Sequence, residues 1–240
     1  MEKQGKPTLA GIRREIRALG SPARAKSSLR FFRTGRGEYG EGDKFLGLTV
    51  PEMRAIARRY RTLDHDAVVE LLQSPWHEER LVALVLLVDA YKRGNKSERD
   101  RIYRAYLANT NRVNNWDLVD SSAGAIVGGH LDATQISLLE RLARSKDLWE
   151  RRIAIVATFH FIKQNEFAPT LRIAEMLLLD PHDLIHKAVG WMLREVGKKD
   201  RKALDMFLSK HYRTMPRTAL RYAIERHPEA IRKRYLDGTI

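Results

Sequence analysis

Trp116 and Asp120 stand four residues apart near the middle of the chain. In a helix, that spacing places an indole and a carboxylate on one face. Two later segments, 149–152 and 187–191, follow at distances that suit successive units of a helical repeat, so their side chains could converge with the first pair. The second of them brings another indole, Trp191. Because indole faces attract cations and a carboxylate stabilises positive charge, this set suggests chemistry on a cationic group.

The overall charge indicates which macromolecule would carry that group. The 240 residues include 44 Lys and Arg against 30 Asp and Glu, a formal net charge of +14. Such an excess is typical of proteins that bind a polyanion, and DNA or RNA is the usual one. An anionic membrane surface is the weaker alternative, because no short basic amphipathic segment stands apart from the rest of the chain.

Several classes of site and location are disfavoured by composition. The chain has no cysteine, which excludes disulfides, thiolate zinc sites and a cysteine nucleophile. Its eight histidines are scattered along the chain, so we expect no metal and no other cofactor. The longest apolar run, 81–88, is too short to cross a bilayer, and no apolar core follows residues 1–6 as in a signal peptide. We expect a cytoplasmic monomer.

Helix signals recur along the chain. Thr49 to Glu52 form a capping box with a proline in the first turn. Ser74-Pro75 opens an apolar segment that Gly94 closes, and Asp180-Pro181 opens the segment that contains Trp191. No run alternates strictly between apolar and polar residues, so we predict no sheet.

One polar position recurs at intervals of roughly 35 residues, which suits a two-helix repeat unit. Its members are Arg80, Asp117, Arg152 and Lys187, and Arg217 extends the column with a shorter step. The consensus of tetratricopeptide repeats is absent, so a HEAT-like unit is favoured. We therefore predict one domain over residues 1–240, an all-α HEAT-like helical-repeat solenoid with a concave basic groove lined by this column. The alternative is that these residues are solvated polar ends of amphipathic helices.

The segment 34–44 interrupts the helical pattern. It holds four glycines, so it predicts a loop. A phosphate-cradling role is conceivable, but the Gly-Lys-Ser/Thr ending of a P-loop is missing. A mobile connector is the favoured interpretation.

The central pair also has an ordinary structural interpretation. Tryptophans are mostly buried, and Asp120 would form a natural ion pair with Arg152 that ties neighbouring repeats together. Gly190 lies inside a predicted helix beside Trp191, where glycine costs about 1 kcal/mol relative to alanine. That cost indicates a close approach of another element at Gly190.

Several motifs, by their order and spacing along the chain, resemble those of the bacterial AlkD-like DNA alkylation repair family, the HEAT-like-repeat DNA glycosylases. They cover nearly the whole chain, and together they are specific although each alone is only moderately so. The motifs are Lys44-Phe45-Leu46-Gly47, Val50-Pro51-Glu52, Trp116-Asp117-Leu118-Val119-Asp120, residues 149–155 and residues 188–195. The resemblance implies hydrolysis of the N-glycosidic bond of cationic alkylpurines, such as N3-methyladenine and N7-methylguanine, in double-stranded DNA.

The resemblance also implies roles for single residues. Trp116 and Trp191 would be the aromatic pair against the damaged nucleotide, and Asp120 the catalytic carboxylate. Arg152 would contact the DNA backbone beside it. Lys187 is expected to add a phosphate contact from the same register column.

Asp117 is the third residue expected to bind DNA, and this expectation rests only on its position in the register column.

Two departures from the family pattern stand out. Asn115 occupies a position where relatives often carry a second aromatic, and Phe31 and Phe32 are only candidates for an N-terminal aromatic that backs the duplex. Two other functions stay open: a non-catalytic solenoid that binds DNA or RNA structures, and a scaffold for acidic protein partners.

Overall fold

A computed structural model describes residues 6–240, which form fifteen α-helices and no strand. The prediction of an all-α chain without a sheet is confirmed for these residues. Residues 1–5, on which the expectation of no signal peptide falls, lie outside the described part. No helix within residues 6–240 has the length and apolar character needed to cross a membrane.

The chain divides into two compact units at Ser122. The helices of unit 1 are α1 (Leu9–Ala18), α2 (Pro22–Phe31), α3 (Val50–Arg59), α4 (His65–Leu72), α5 (His77–Arg93), α6 (Lys96–Ala108) and most of α7 (Trp116–Ile126). The helices of unit 2, from Ala123 onwards, are α8 (Ser137–Ala143), α9 (Leu148–Ala157), α10 (Phe159–Lys163), α11 (Ala168–Met176), α12 (Asp183–Lys199), α13 (Arg201–His211), α14 (Arg217–Ala223) and α15 (Glu229–Asp237).

The helix ends follow the local signals in the sequence. At the start of α3 the Thr49 hydroxyl accepts from the amide of Glu52, and the Glu52 carboxylate accepts from the amide of Thr49 at 2.6 Å, so the predicted capping box is present. Gly94 caps the C-terminus of α5, as predicted. The prolines at 216 and 228 occupy the N-cap positions of α14 and α15. At Thr49 and Gly94, hydrogen bonds to otherwise unpaired terminal amides and carbonyls fix the helix boundary. The prolines make no side-chain cap hydrogen bond, and they act through their fixed φ angle.

In unit 1, α5 is the central helix. It packs against α1, α3, α4 and α6, and residues 77–84 are buried without interruption. The apolar run 81–88 therefore belongs to a helix buried on most sides rather than to a surface helix with one apolar face. The start of this helix is unusual, because its first four residues are polar and yet buried.

In unit 2, α12 occupies the corresponding central place. It packs against α9, α11, α13 and α14. A Cβ atom at Gly190 would lie 2.5 Å from the carbonyl oxygen of Ala219 and 2.5 Å from the Cβ of Tyr222. The close approach expected at Gly190 is thus confirmed, and the element that approaches is α14.

The glycine-rich segment 34–44 is a loop, as predicted, but it is more than a connector. Its acidic side chains fold back on its own amides: Glu38 accepts from Gly35 at 2.8 Å, and Glu41 accepts from Gly37 at 2.8 Å. At its end Asp43 is buried and bonded to α5. The loop therefore delivers a carboxylate to the interior of unit 1.

We expect Gly190→Ala to destabilise the protein. The added methyl group would overlap α14, at a cost of about 1–3 kcal/mol that exceeds the gain of about 1 kcal/mol in helix propensity. Gly124→Ala is the matched control, because a Cβ there meets its nearest atom at an ordinary 3.5 Å. Urea unfolding should show a loss for the first variant and no loss for the second. Equal stabilities would contradict the close packing at Gly190.

Candidate functional site

Trp116 is the first residue of α7 and is half-buried. Its indole stacks on the ring of Phe32, with centroids 5.4 Å apart and planes 22° apart. The ring of Phe31 meets it edge-on at 5.9 Å, and Phe31 is 65% exposed. Both phenylalanines named as candidates in the sequence therefore contact Trp116, and the three rings form an aromatic surface that reaches solvent at Phe31.

Asn115 has a structural function that explains why an amide stands there. It is fully buried. Its side-chain oxygen accepts from the amide of Trp116 at 2.9 Å, and its Nδ2 donates to the carboxylate of Asp43 at 3.4 Å. An aromatic side chain at this position would leave the buried carboxylate with one donor fewer, which is costly inside a protein.

A buried histidine lies beneath this aromatic surface. The Nδ1 of His77 lies 2.8 Å from Asp43, and its Nε2 lies 2.8 Å from Asp117. Arg80 donates to the other oxygen of Asp43 at 2.8 Å and to the carbonyl of Ser74. Two carboxylates and two basic side chains thus neutralise one another, as burial of charge requires.

The surroundings keep His77 protonated. Burial by itself lowers the pKa of His77, but the charge and hydrogen bond of Asp117 and those of Asp43 outweigh it and raise the pKa to about 9. Burial raises the pKa of Asp43, yet the hydrogen bonds and charges of His77 and Arg80 lower it overall. The histidine is therefore an imidazolium near neutral pH, with both N–H groups donating.

Asp117, expected to bind DNA, lies in this network. Its side chain is 17% exposed and holds His77. Its contact with DNA stays a prediction, while its observed contacts are internal to unit 1. The expectation that Arg80 belongs to a cationic stripe along a groove is wrong. Arg80 is 3% exposed and bonded to Asp43, so it is not part of a basic surface.

Asp120 lies one turn after Trp116 and is half-buried. It lines a cleft of about 720 Å³ in unit 1, together with Ser121 and residues of α3, α5 and the turn after α3. The basic residues of this cleft are Arg54, Arg58, Arg61 and Lys92, and all four are exposed. The cleft also holds Asp89, which pairs with Arg61 at 3.8 Å, so its wall carries an excess of cations. This arrangement suits an anionic ligand with a cationic centre.

In unit 2, Trp191 is half-buried on α12, and its ring lies 5.9 Å from the ring of Phe159 at 44°. The ammonium of Lys163 stands 4.4 Å above the same phenylalanine ring. Lys187, one turn before the tryptophan, pairs with Asp183 at 2.6 Å and is 41% exposed. Unit 2 therefore carries an aromatic pair flanked by two cations.

Arg152 is only 5% exposed. Its guanidinium donates to the carbonyl of Leu184 at 2.6 Å, which joins α9 to the first turn of α12. Arg217 donates to the carbonyl of Leu236 in the same unit. These two members of the register column support the packing of unit 2. Their contact with DNA stays a prediction.

Reasoning from sequence did not identify His77 and Asp43 as site residues. A signal was present: residues 77–80 are four successive polar residues directly before an apolar run in one helix. Such residues next to a buried segment indicate a paired polar network. Among residues 6–240, no group of three His, Asp or Glu side chains is arranged to hold a metal ion.

Comparison with known proteins finds similarity to a family model and to solved structures. A family model described as "DNA alkylation repair enzyme" matches residues 12–227. The fold is similar to that of a solved structure described as a predicted DNA alkylation repair enzyme from Enterococcus faecalis, with a TM-score of 0.66 and 17% identity, covering 88% of this chain and 97% of the other. At that identity the likeness concerns the fold alone. No curated protein sequence matches the chain.

We expect stability to fall at alkaline pH because of His77. A pKa raised from 6.5 to about 9 stabilises the fold fully below about pH 6.5, and the stabilisation is lost as pH rises through about 9. The shift corresponds to roughly 3 kcal/mol. The free energy of unfolding in urea, measured from pH 6 to pH 10, should decline more steeply for the wild type than for His77→Gln. Parallel curves would contradict the buried imidazolium.

Proposed function

We propose that this chain, which belongs to the DNA alkylation repair enzyme family, is a DNA glycosylase. It would hydrolyse the N-glycosidic bond of cationic alkylated purines in duplex DNA, with N3-methyladenine and N7-methylguanine as substrates, in base excision repair. The observation that carries this proposal is the position of Asp120, one turn after Trp116, in a cleft whose wall is cationic.

The positive charge of the lesion explains why a single carboxylate is enough to catalyse base release. An alkylated purine already carries a positive charge, so it leaves as a neutral base and needs neither a general acid nor a cofactor. The barrier lies in the oxocarbenium character that develops on the deoxyribose. A fixed Asp120 carboxylate stabilises that charge and can orient the attacking water or accept its proton.

Trp116 supplies selectivity for the cationic lesion. An indole face attracts a cation by about 0.5–2 kcal/mol, depending on how far the contact is desolvated. Stacking on Phe32 fixes the plane of the indole, so little rotamer freedom is lost when the nucleotide binds. The exposed ring of Phe31 extends this surface. The reaction would take place from the groove, without deep insertion of the flipped base.

Roles for residues of unit 2 rest on the resemblance. Trp191 would be the second aromatic, and Arg152 and Lys187 would contact the DNA backbone. Both cations have internal partners, the Leu184 carbonyl and Asp183, so each would share or exchange a hydrogen bond on binding. We further propose that the protein acts as a monomer in the cytoplasm, at the nucleoid.

Release of N3-methyladenine and N7-methylguanine from methylated duplex DNA tests the reaction. We expect Asp120→Asn to reduce release at least a hundredfold, because the transition state loses its countercharge. Its affinity for DNA should be equal or higher, since one negative charge has gone. Asp100→Asn is the matched control for that change in charge: Asp100 pairs with Arg104 on α6, away from the cleft.

The other outcomes of this assay distinguish the catalytic assignment of Asp120 from its alternatives. Equal release by wild type and Asp120→Asn would overturn the catalytic assignment. No release by the wild type, with binding intact, would favour the non-catalytic DNA- or RNA-binding alternative. Loss of DNA binding by Asp120→Asn would favour a structural ion pair of Asp120.

Binding should depend on a cation of the cleft, Arg58, and on the proposed phosphate contact of unit 2, Lys187, and the salt dependence of binding measures both. We expect Arg58→Ala and Lys187→Ala each to weaken binding of alkylated and undamaged duplex alike. The logarithm of the DNA-binding constant falls linearly with the logarithm of the salt concentration. Each variant should make that slope shallower by about 1, because one phosphate contact is lost. Arg104→Ala is the control, because Arg104 is exposed but pairs with Asp100 outside the cleft. Fluorescence anisotropy at several salt concentrations measures these slopes, and an unchanged slope would exclude that residue from the interface.

A further inference from the structure

We propose that His77, which does not reach the surface, is a positioning residue that sets the orientation of the Trp116 indole. The inference rests on the proposed function, in which that indole contacts the damaged nucleotide. It assigns a task to a buried histidine that the reaction itself does not use.

The first connection from His77 to the indole runs through the backbone of α7. The Nε2 of His77 donates to Asp117, the residue directly after Trp116, at 2.8 Å. The other oxygen of that carboxylate accepts from the amide of Leu118 at 2.9 Å. The first turn of α7 is thus fixed to the first turn of α5, and the backbone at Trp116 is fixed with it.

The second connection runs through aromatic rings. The imidazole of His77 is stacked with Phe45 at 4.5 Å and contacts Phe32 at 4.9 Å. Phe32 also stacks on Phe45 and, at 5.4 Å, on Trp116. Because aromatic faces attract cations, a protonated imidazole draws Phe32 inward, and Phe32 is the ring on which the indole lies.

The first connection depends on the N–H groups of the imidazolium, and the second depends on its positive charge. Asp43 and Asp117 face His77 from the loop and from α7, and Arg80 faces Asp43 from α5 itself. A neutral imidazole has one N–H and can donate to only one carboxylate, while its lone pair repels the other. Loss of the proton therefore breaks the chain Asp43–His77–Asp117 at one link.

The neighbouring charges on α5 provide a comparison. Glu79 lies two residues after His77, is fully buried and pairs with Arg13 and Arg17 of α1. These ion-pair partners lie on α1 and not among Trp116 and its supporting rings. A substitution at Glu79 thus disturbs buried charge in the same helix without touching the connection to the indole.

The experiment compares His77→Gln with Glu79→Gln in the full chain. We expect His77→Gln to lower the single-turnover rate of base release at least tenfold, with a change in Kd for DNA of less than threefold. Glu79→Gln should lower Tm but leave the rate unchanged below the unfolding transition. Asp117→Asn breaks the same link from the other side, and it should reproduce the effect if His77→Gln does not fold.

Tryptophan fluorescence gives a readout that a general loss of stability would not move. The emission of Trp116, obtained by subtracting the Trp116→Phe spectrum in each background, should change in His77→Gln and not in Glu79→Gln. In the wild type, this difference emission and the rate should decline together as pH rises from 7 to 10. In His77→Gln both should lose that alkaline decline.

Two results would overturn the positioning role. One is an unchanged rate and an unchanged Trp116 emission in folded His77→Gln. The other is a loss of rate that only follows the folded fraction, as with Glu79→Gln. If Asp120→Asn released bases at the wild-type rate, the proposed function would fail instead, and the Trp116 emission would still decide whether His77 orients the indole.

Discussion

The architecture of unit 1 depends on four consecutive polar side chains buried at the start of α5. An isolated buried charge costs several kcal/mol, so each of these groups requires a partner with good geometry. The Glu78 carboxylate accepts from the amides of residues 46–48. Glu79 accepts a hydrogen bond from Arg17 of α1 and forms an ion pair with Arg13 of the same helix. His77 and Arg80 share Asp43 from the glycine-rich loop. This one helical turn thereby fixes a helix before it, a loop and the start of α7.

That constraint explains features that are otherwise unrelated. The loop 34–44 has to bring a carboxylate inside, and positive φ angles at Gly37 and Gly42 allow the turns that this path needs. Asn115 has to complete the coordination of the same carboxylate, which fixes an amide directly before the indole. The aromatic rings then close over the histidine. The surface at Trp116 is therefore the outer side of a buried electrostatic network.

Local signals in the sequence predicted the all-α class and several helix ends. The Thr49 capping box and Gly94 act through hydrogen bonds within a few residues, and the prolines before α14 and α15 act through their restricted backbone, so none of them needs tertiary information. The cost of a glycine inside a helix likewise indicated a close approach at Gly190. The approaching partner, Ala219 on α14, could not be read from the sequence, because that contact is between residues distant along the chain.

For the candidate site as well, some features were predictable from the sequence and others were not. The sequence by itself determined the residue types and the helical spacing that put Trp116 and Asp120 one turn apart, and its charge indicated a polyanionic ligand. Only the tertiary structure decided which charges remain at a surface. Arg80 and Arg152 share a register column with Lys187, yet both are buried and bonded internally, whereas Arg54 and Arg58 outside that column line the cleft with Asp120. Periodicity predicts on which face of a helix a residue lies, but the burial of that residue depends on which other elements cover that face.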